Sequence, residues 1–343
     1  MVLLSGCSQG GDPVVVEPSS QHIFYMGRMD WTDPAEPAFT YPGTTAMLSF
    51  ESPWIDMAVS PGSGHFVVEI DSMPAQKVFF GERDSVMRLA DNLGDGIHNA
   101  RITYCIEGYE KNPHWRGFML APGGQLHEPK RPKGPKIEFI GNSIICGYGT
   151  DAEGPEIHFS YETENHCLTF AHLAARLLDA EYYVVARSGA GIYRNYNGPR
   201  EGSPDGRMPD DYDNVLIYHP ENKWDFSKWQ PDIVCVNLGT NDLSLNNYDI
   251  DLFRDAAGRF TDHIREVYPE ATIVLLTGPM LHGKTLEDAR GALDAVAAER
   301  EGVERFDLSE ETGELGYGAE HHPSAKRHAV NAVELSQFIM HNS

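Results

Sequence analysis

Residues 128–135 read Glu-Pro-Lys-Arg-Pro-Lys-Gly-Pro, and no regular element can run through them. Each proline fixes its own φ, lacks an N–H donor and pushes the preceding residue towards extended backbone. Lys130, Arg131 and Lys133 keep the stretch in water. A chain interrupted in this way folds as two units. Its 343 residues agree with that count, at about 150 residues per domain. The pattern on each side of the break sets the fold of each unit.

Upstream, residues 21–130 are strand-like and rich in turns. Phe66, Val68 and Ile70 alternate with Val67, Glu69 and Asp71, and Ile102, Tyr104 and Ile106 with Arg101, Thr103 and Glu107. Period two with one apolar face marks half-buried strands. Tyr41-Pro42-Gly43, Pro61-Gly62-Ser63-Gly64 and Gly94-Asp95-Gly96 punctuate the runs. No helical period intervenes, so an all-β sandwich is expected.

After a linker at 131–135, residues 136–343 change character. Short apolar runs at 137–140, 182–186, 233–238 and 272–276 suit buried parallel strands. Helical periods lie between them. Phe170, Leu173, Ala174, Leu177 and Leu178 share one face, and residues 249–268, 285–300 and 323–340 also read as helices. This alternation predicts an α/β domain with a parallel sheet and flanking helices.

Charge narrows the partners. With 27 Lys and Arg against 51 Asp and Glu, the net charge is −24, which excludes a nucleic-acid partner and disfavours an anionic membrane surface. No run of 18 apolar residues is present to span a bilayer as a helix. The five cysteines match no zinc or CxxC spacing, and the scattered histidines show no metal spacing either. Cys105, Cys146, Cys167 and Cys235 lie in apolar segments and read as small buried hydrophobes. Cys7 differs. Leu4-Ser5-Gly6-Cys7 reads as a bacterial lipobox, and the polar run after it as a tether, so residues 1–20 are expected to be a signal remnant and tether. Only six residues precede Cys7, so the expected start lies further upstream. The expectation is an exported protein of the bacterial cell envelope, held to a membrane only through a lipid on Cys7.

In open α/β sheets, functional residues gather beyond the carboxyl ends of the strands. The first expected strand ends in Gly141-Asn142-Ser143-Ile144, the second in Arg187-Ser188-Gly189-Ala190-Gly191 and the third in Gly239-Thr240-Asn241-Asp242. Glu320-His321-His322-Pro323-Ser324 precedes the final helix. Acyl transfer needs such parts. A serine hydroxyl attacks once a base takes its proton, and the oxyanion that forms needs preorganised donors. Ser143 supplies the hydroxyl and a late histidine the base. The N–H groups of Ser143 and Gly189 and the amide of Asn241 supply the donors. Asp242 reads as a structural acceptor of nearby backbone N–H groups.

These blocks resemble the SGNH, or GDSL-like, hydrolases, whose marks Ser, Gly, Asn and His fall here on Ser143, Gly189, Asn241 and His322. More narrowly, the chain resembles carbohydrate esterase family 2. Residues 137–149, 188–196 and 226–232 carry that likeness, together with the leading sandwich. The resemblance implies a jelly-roll-like sandwich followed by a flavodoxin-like catalytic domain. It implies removal of acetyl groups from plant polysaccharides such as xylan and mannan, without metal or cofactor. His322 is favoured over His321 because the family pairs its histidine with proline. Two positions depart from the family: Asn142 replaces a usual Asp, and Ala319 stands where many members place the third acid. Glu320 is the expected orienting acid, with a backbone carbonyl and a Ser-His dyad as the alternative. Tyr193 and Trp115 offer flat faces to a sugar ring and are the candidate substrate contacts, although the core or the domain interface is the favoured place for both. Other readings are a glycan-binding lipoprotein with a degenerate hydrolase domain, and an esterase for sialate, peptidoglycan or lipid esters.

Overall fold

The computed structural model describes residues 11–342. Ten strands fill the first unit: β1 (Val14–Val16), β2 (Ile23–Met26), β3 (Thr45–Glu51), β4 (Ile55–Val59), β5 (Gly64–Ile70), β6 (Gln76–Phe80), β7 (Val86–Ala90), β8 (His98–Tyr104), β9 (Trp115–Leu120) and β10 (Gln125–His127). They form two antiparallel sheets, one in the order β1-β9-β4-β7, the other β10-β3-β8-β5-β6 with β2 also on β3. Alternation decides which side chains turn inward. In β4, Ile55, Met57 and Val59 are buried, while Asp56 and Ala58 are only half-buried. Both sheets share one core, with Val16, Met57 and Phe118 from the first and Leu48, Phe66 and Ile102 from the second. The expected tether therefore gives up residues 14–16 to the sandwich: Val16 is buried and pairs with Phe118. Three consecutive valines favour a strand, and β9 offers them a ladder. Cys7 lies outside the described residues.

The second unit is built on β11 (Lys136–Gly141), β12 (Glu181–Ala186), β13 (Ile233–Asn237), β14 (Thr272–Thr277) and β15 (Val303–Asp307). All pair in parallel, in the order β12-β11-β13-β14-β15, the flavodoxin-like order. The helices are α1 (Ser143–Cys146), α2 (Phe170–Leu177), α3 (Met208–Asp211), α4 (Ile250–Val267), α5 (Gly283–Ala298) and α6 (Ala325–Asn342). Helices cover both faces. α4 and α5 pack Phe253, Phe260 and Leu293 against Ile140, Val236 and Leu275. α2 and α6 pack Phe170, Ala174 and Leu335 against Phe139, Val184 and Val274. Burial on both faces explains why the central strands read as unbroken apolar runs.

The two units interlock. Arg28, just after β2, reaches Glu138 in β11 at 2.9 Å, with both side chains fully buried. The His166 N–H donates to the Cys105 carbonyl at 2.9 Å, and the Ile217 N–H to the Thr40 hydroxyl at 2.9 Å. β11 lies between β12 and β13, so the turns that follow these three strands open side by side on one edge.

Candidate active site

Ser143 follows β11 directly. The Asn142 side-chain oxygen accepts from the Ile144 N–H at 3.1 Å and caps the single turn of α1, which stops at Gly147. An aspartate would cap this turn equally well. The Asn142 departure therefore leaves the local geometry of Ser143 intact.

His322 arrives on a tightly bonded loop. The Gly318 N–H donates to the His322 carbonyl at 2.8 Å, Ala319 N–H to Gly149 at 3.1 Å and Glu320 N–H to Pro155 at 3.1 Å. Glu320 and His321 both lie in the left-handed region, with φ of 49° and 64°. Such backbone costs about 1–3 kcal/mol for each residue bearing a side chain and persists only where the surroundings over-determine it. Gly149 is part of that constraint, since a Cβ there would lie 2.3 Å from the Ala319 Cβ.

The loop sets the imidazole with Nε2 3.0 Å from the Ser143 Oγ and Nδ1 3.2 Å from the Ala319 carbonyl. A carbonyl only accepts, so Nδ1 carries the proton and the Nε2 lone pair faces the hydroxyl. Tyr148 stacks on the ring at 4.0 Å between centroids, and Phe159 stacks on Tyr148 at 4.4 Å. Burial pushes the His322 pKa down to about 4, so the ring is neutral at pH 7. A neutral imidazole aimed at a serine hydroxyl can take its proton.

Gly189 follows β12 with φ of 79°, and no atom lies within 4 Å of where its Cβ would stand, so the space before it is open. Asn241 follows β13. Its amide donates one hydrogen to the Ala190 carbonyl at 2.8 Å and keeps a second. Asp242 accepts from the N–H groups of Ile192, Tyr193 and Arg194 and so pins the loop after Gly189. Burial raises its pKa to about 6 against those bonds. Arg194, itself fully buried, donates to the Asp242 carbonyl at 2.6 Å and to Asn247 at 2.7 Å.

Three expectations are corrected. The Glu320 carboxylate does not meet His322. It accepts from the Tyr148 hydroxyl and bonds His158 at 3.0 Å, while the Ala319 carbonyl holds the imidazole. Bonds to Tyr148 and His158 occupy its carboxylate, which leaves the Ala319 carbonyl as the acceptor for Nδ1. Trp115 cannot stack on a sugar, because it is fully buried in the sandwich core and stacks on Phe39 at 5.1 Å. Tyr193 is also buried, and its hydroxyl accepts from the Asp249 N–H at 2.9 Å. Sequence reasoning missed Tyr148, Phe159, Glu107, Glu164 and Ser188. Tyr148 had a faint signal, being one turn past Ser143 beside two glycines. Glu107 had none, because it reaches the site from the other domain.

A serine-histidine pair on the edge of a parallel sheet, beside an open glycine and an asparagine amide, belongs to a class. Residues 139–330 match the GDSL-like lipase/acylhydrolase family, and residues 25–129 the carbohydrate esterase 2 N-terminal family. The chain thus has the fold and the paired serine and histidine of that class of ester hydrolases. Cellulase/esterase CelE of Acetivibrio thermocellus is 32% identical over 92% of this chain, which spans 39% of that protein. An acetylxylan esterase / glucomannan deacetylase of Cellvibrio japonicus is 27% identical over 94% of this chain and 89% of its own. A family two carbohydrate esterase from Clostridium thermocellum, solved with cellohexaose, superimposes with a TM-score of 0.85 at 31% identity, over 93% of this chain and 98% of that one. The chain belongs to carbohydrate esterase family 2.

Proposed function

We propose that this protein is a serine esterase that removes O-acetyl groups from plant polysaccharides of the xylan and mannan type. The observation that carries the reading is the 3.0 Å contact between Ser143 Oγ and His322 Nε2, with Nδ1 committed to a carbonyl. The Ser143 oxygen attacks the acetyl carbonyl while His322 takes the hydroxyl proton. The N–H groups of Ser143 and Gly189 and the free hydrogen of the Asn241 amide receive the oxyanion. His322 returns the proton to the departing sugar oxygen. Water then attacks the acetyl-enzyme by the same route, releasing acetate and regenerating Ser143. The Ala319 carbonyl replaces a third acid, so a dyad operates. The names of the relatives support the substrate class, since two are acetylxylan esterases / glucomannan deacetylases. Export with a lipid on Cys7 belongs to the same proposal, and detergent-phase partitioning of Cys7→Ser against the wild type tests it.

The test is acetate release from acetylated xylan and glucomannan, set beside sialate, peptidoglycan and lipid esters, with p-nitrophenyl acetate as the general probe. Ser143→Ala is expected to lower kcat by about a thousandfold or more. A wild type no faster than Ser143→Ala would sink the esterase reading. Release from sialate or peptidoglycan alone would move the substrate.

A further inference from the structure

Glu107 comes from the sandwich, just beyond β8, and ends among the parts of the catalytic domain. Both of its carboxylate oxygens accept from Ser188: Oε1 from the N–H at 2.6 Å, and Oε2 from the hydroxyl. Ser188 immediately precedes Gly189. Glu107 also lies beside Cys146, the last residue of the turn that begins at Ser143. One buried side chain thus touches both the turn of the nucleophile and the loop of the proposed oxyanion donor. Behind it lies a second acid, Glu164, fully buried, whose Oε2 accepts from the Glu107 N–H at 3.2 Å. Its carboxyl also bonds the carboxyl of Glu107. The ligand atoms of Glu107, Glu164 and Cys146 all lie within 4.8 Å of one another.

Two carboxylates this close and this buried do not both ionise, so one proton stays with the pair. Burial, then the charge of Glu107, drives Glu164 well above its usual range, which makes Glu164 the proton holder. Glu107 is also raised by burial, but the Ser188 hydrogen bonds oppose this and favour its anion. The other groups facing the pair are the Cys146 thiol, which burial keeps protonated, and Lys77, whose ammonium donates to the Glu164 carbonyl at 2.8 Å. A carboxylate with no cation bonded to it is costly to bury. Its position, between the two turns that frame the reacting carbon, gives the reason for it.

We infer that Glu107 is a positioning residue for ester hydrolysis, contributed by the sandwich domain, which fixes the Gly189 N–H against Ser143 by gripping Ser188. A loop fixed before the reaction need not reorganise as the oxyanion forms, so the contribution falls on kcat rather than on substrate binding. The sandwich is then a structural member of the active site.

The experiment uses the full chain and p-nitrophenyl acetate, with a thermal melt on every variant. Glu107→Ala is expected to lower kcat about a hundredfold with KM within about threefold. Glu107→Gln, which keeps an acceptor for the Ser188 N–H, is expected to recover most of that loss. Ser188→Ala keeps the backbone bond and loses about threefold to tenfold in kcat. The double variant Glu107→Ala/Ser188→Ala is expected to be no slower than Glu107→Ala, because both act through one contact. A folded Glu107→Ala with wild-type kcat overturns the inference, as do losses that multiply in the double variant. If Glu107→Ala does not fold, an unchanged kcat in Ser188→Ala overturns it alone. A stoichiometric metal ion in the purified wild type, lost in Glu164→Gln, would replace the shared proton and overturn the grip as described. The inference rests on the Ser143–His322 reading. An inactive wild type fails that reading, whereas an active wild type with unaffected Glu107 variants fails only this one.

Discussion

Glu138 and Glu107 are both buried acids that meet the opposite domain, and they are answered by different partners. Glu138 takes Arg28 at 2.9 Å and the hydroxyls of Tyr212 at 2.7 Å and Tyr268 at 3.3 Å. Arg28 also lies over the rings of Tyr212 and Phe226, at 4.9 and 5.3 Å. Glu107 instead takes a backbone N–H, a hydroxyl and the neighbourhood of a second acid. The first contact is a matched ion pair with its lone pairs satisfied, placed away from Ser143. The second leaves a carboxylate with no cation bonded to it beside the chemistry, since of the acid pair Lys77 reaches only the Glu164 carbonyl. The contrast shows two uses of one boundary: a latch that closes the domains, and a grip that shapes the site.

The latch is the easier to break. Arg28→Ala leaves a buried Glu138 without its cation, and removing one partner of such a pair costs about 3–5 kcal/mol. Urea denaturation should show a loss of that size. The folded fraction should keep its kcat on p-nitrophenyl acetate within about twofold, because nothing on the Ser143 edge depends on Arg28. If Arg28→Ala instead loses kcat as Glu107→Ala should, the two contacts are one device and the distinction fails.

Acid and base separate the same two regions. Burial drives His322 to about 4, His166 to about 4 and His328 to about 3, all below the ordinary 6.5. The unfolded chain then binds more protons than the folded one between these values and about 6.5, so stability falls as the pH drops through that window. Activity should survive well below pH 6.5 and fail near pH 4, where Nε2 is protonated and cannot accept from Ser143. A rate that halves near pH 6.5 would place His322 in a wetter setting than its loop gives it. The acid pair has the opposite sign. Glu164 and Glu107 are raised, so their contribution is fullest below the unfolded carboxylate range and is lost as pH rises through the folded values. Glu164→Gln should therefore gain Tm over the wild type by an amount that grows as the pH rises above the ordinary carboxylate range. A constant difference would mean that the pair holds no proton to lose.

What the sequence disclosed divides along similar lines. The central strands were legible because burial on both faces forces unbroken apolar runs, as at 137–140 and 233–238. β15 was not, since Val303–Glu304–Arg305–Phe306–Asp307 is a half-exposed edge strand that follows no pattern. The residues at strand ends could be read from type and order, because the topology of an open sheet fixes where they meet. Glu107 could not, since nothing local links an acid in a β-sandwich to a loop 81 positions away. Trp115 and Tyr193 kept two readings open for a plain reason. An aromatic side chain suits a sugar face and a core equally, and only packing decides.

A third acid tests how far proximity alone makes a catalytic part. Glu320 directly follows the Ala319 carbonyl that holds the base and stands two residues before His322, yet it is bonded to Tyr148 and His158 at the exposed rim. Those two bonds, Tyr148 first, hold its pKa below the usual range, so it is charged throughout the working pH. Its charge is screened by water, and the imidazole proton already has an acceptor in Ala319. Glu320→Gln should therefore change kcat by less than about threefold, with KM shifting as much as kcat if the Tyr148 stack loosens. The left-handed turn forms without the carboxylate, because the backbone bonds of Ala319 and Glu320 hold it. A loss of about a hundredfold in Glu320→Gln would mean that the side chain swings onto Nδ1 in the reacting state. The Ala319 carbonyl would then be a resting partner, and the site a triad that closes only when substrate arrives.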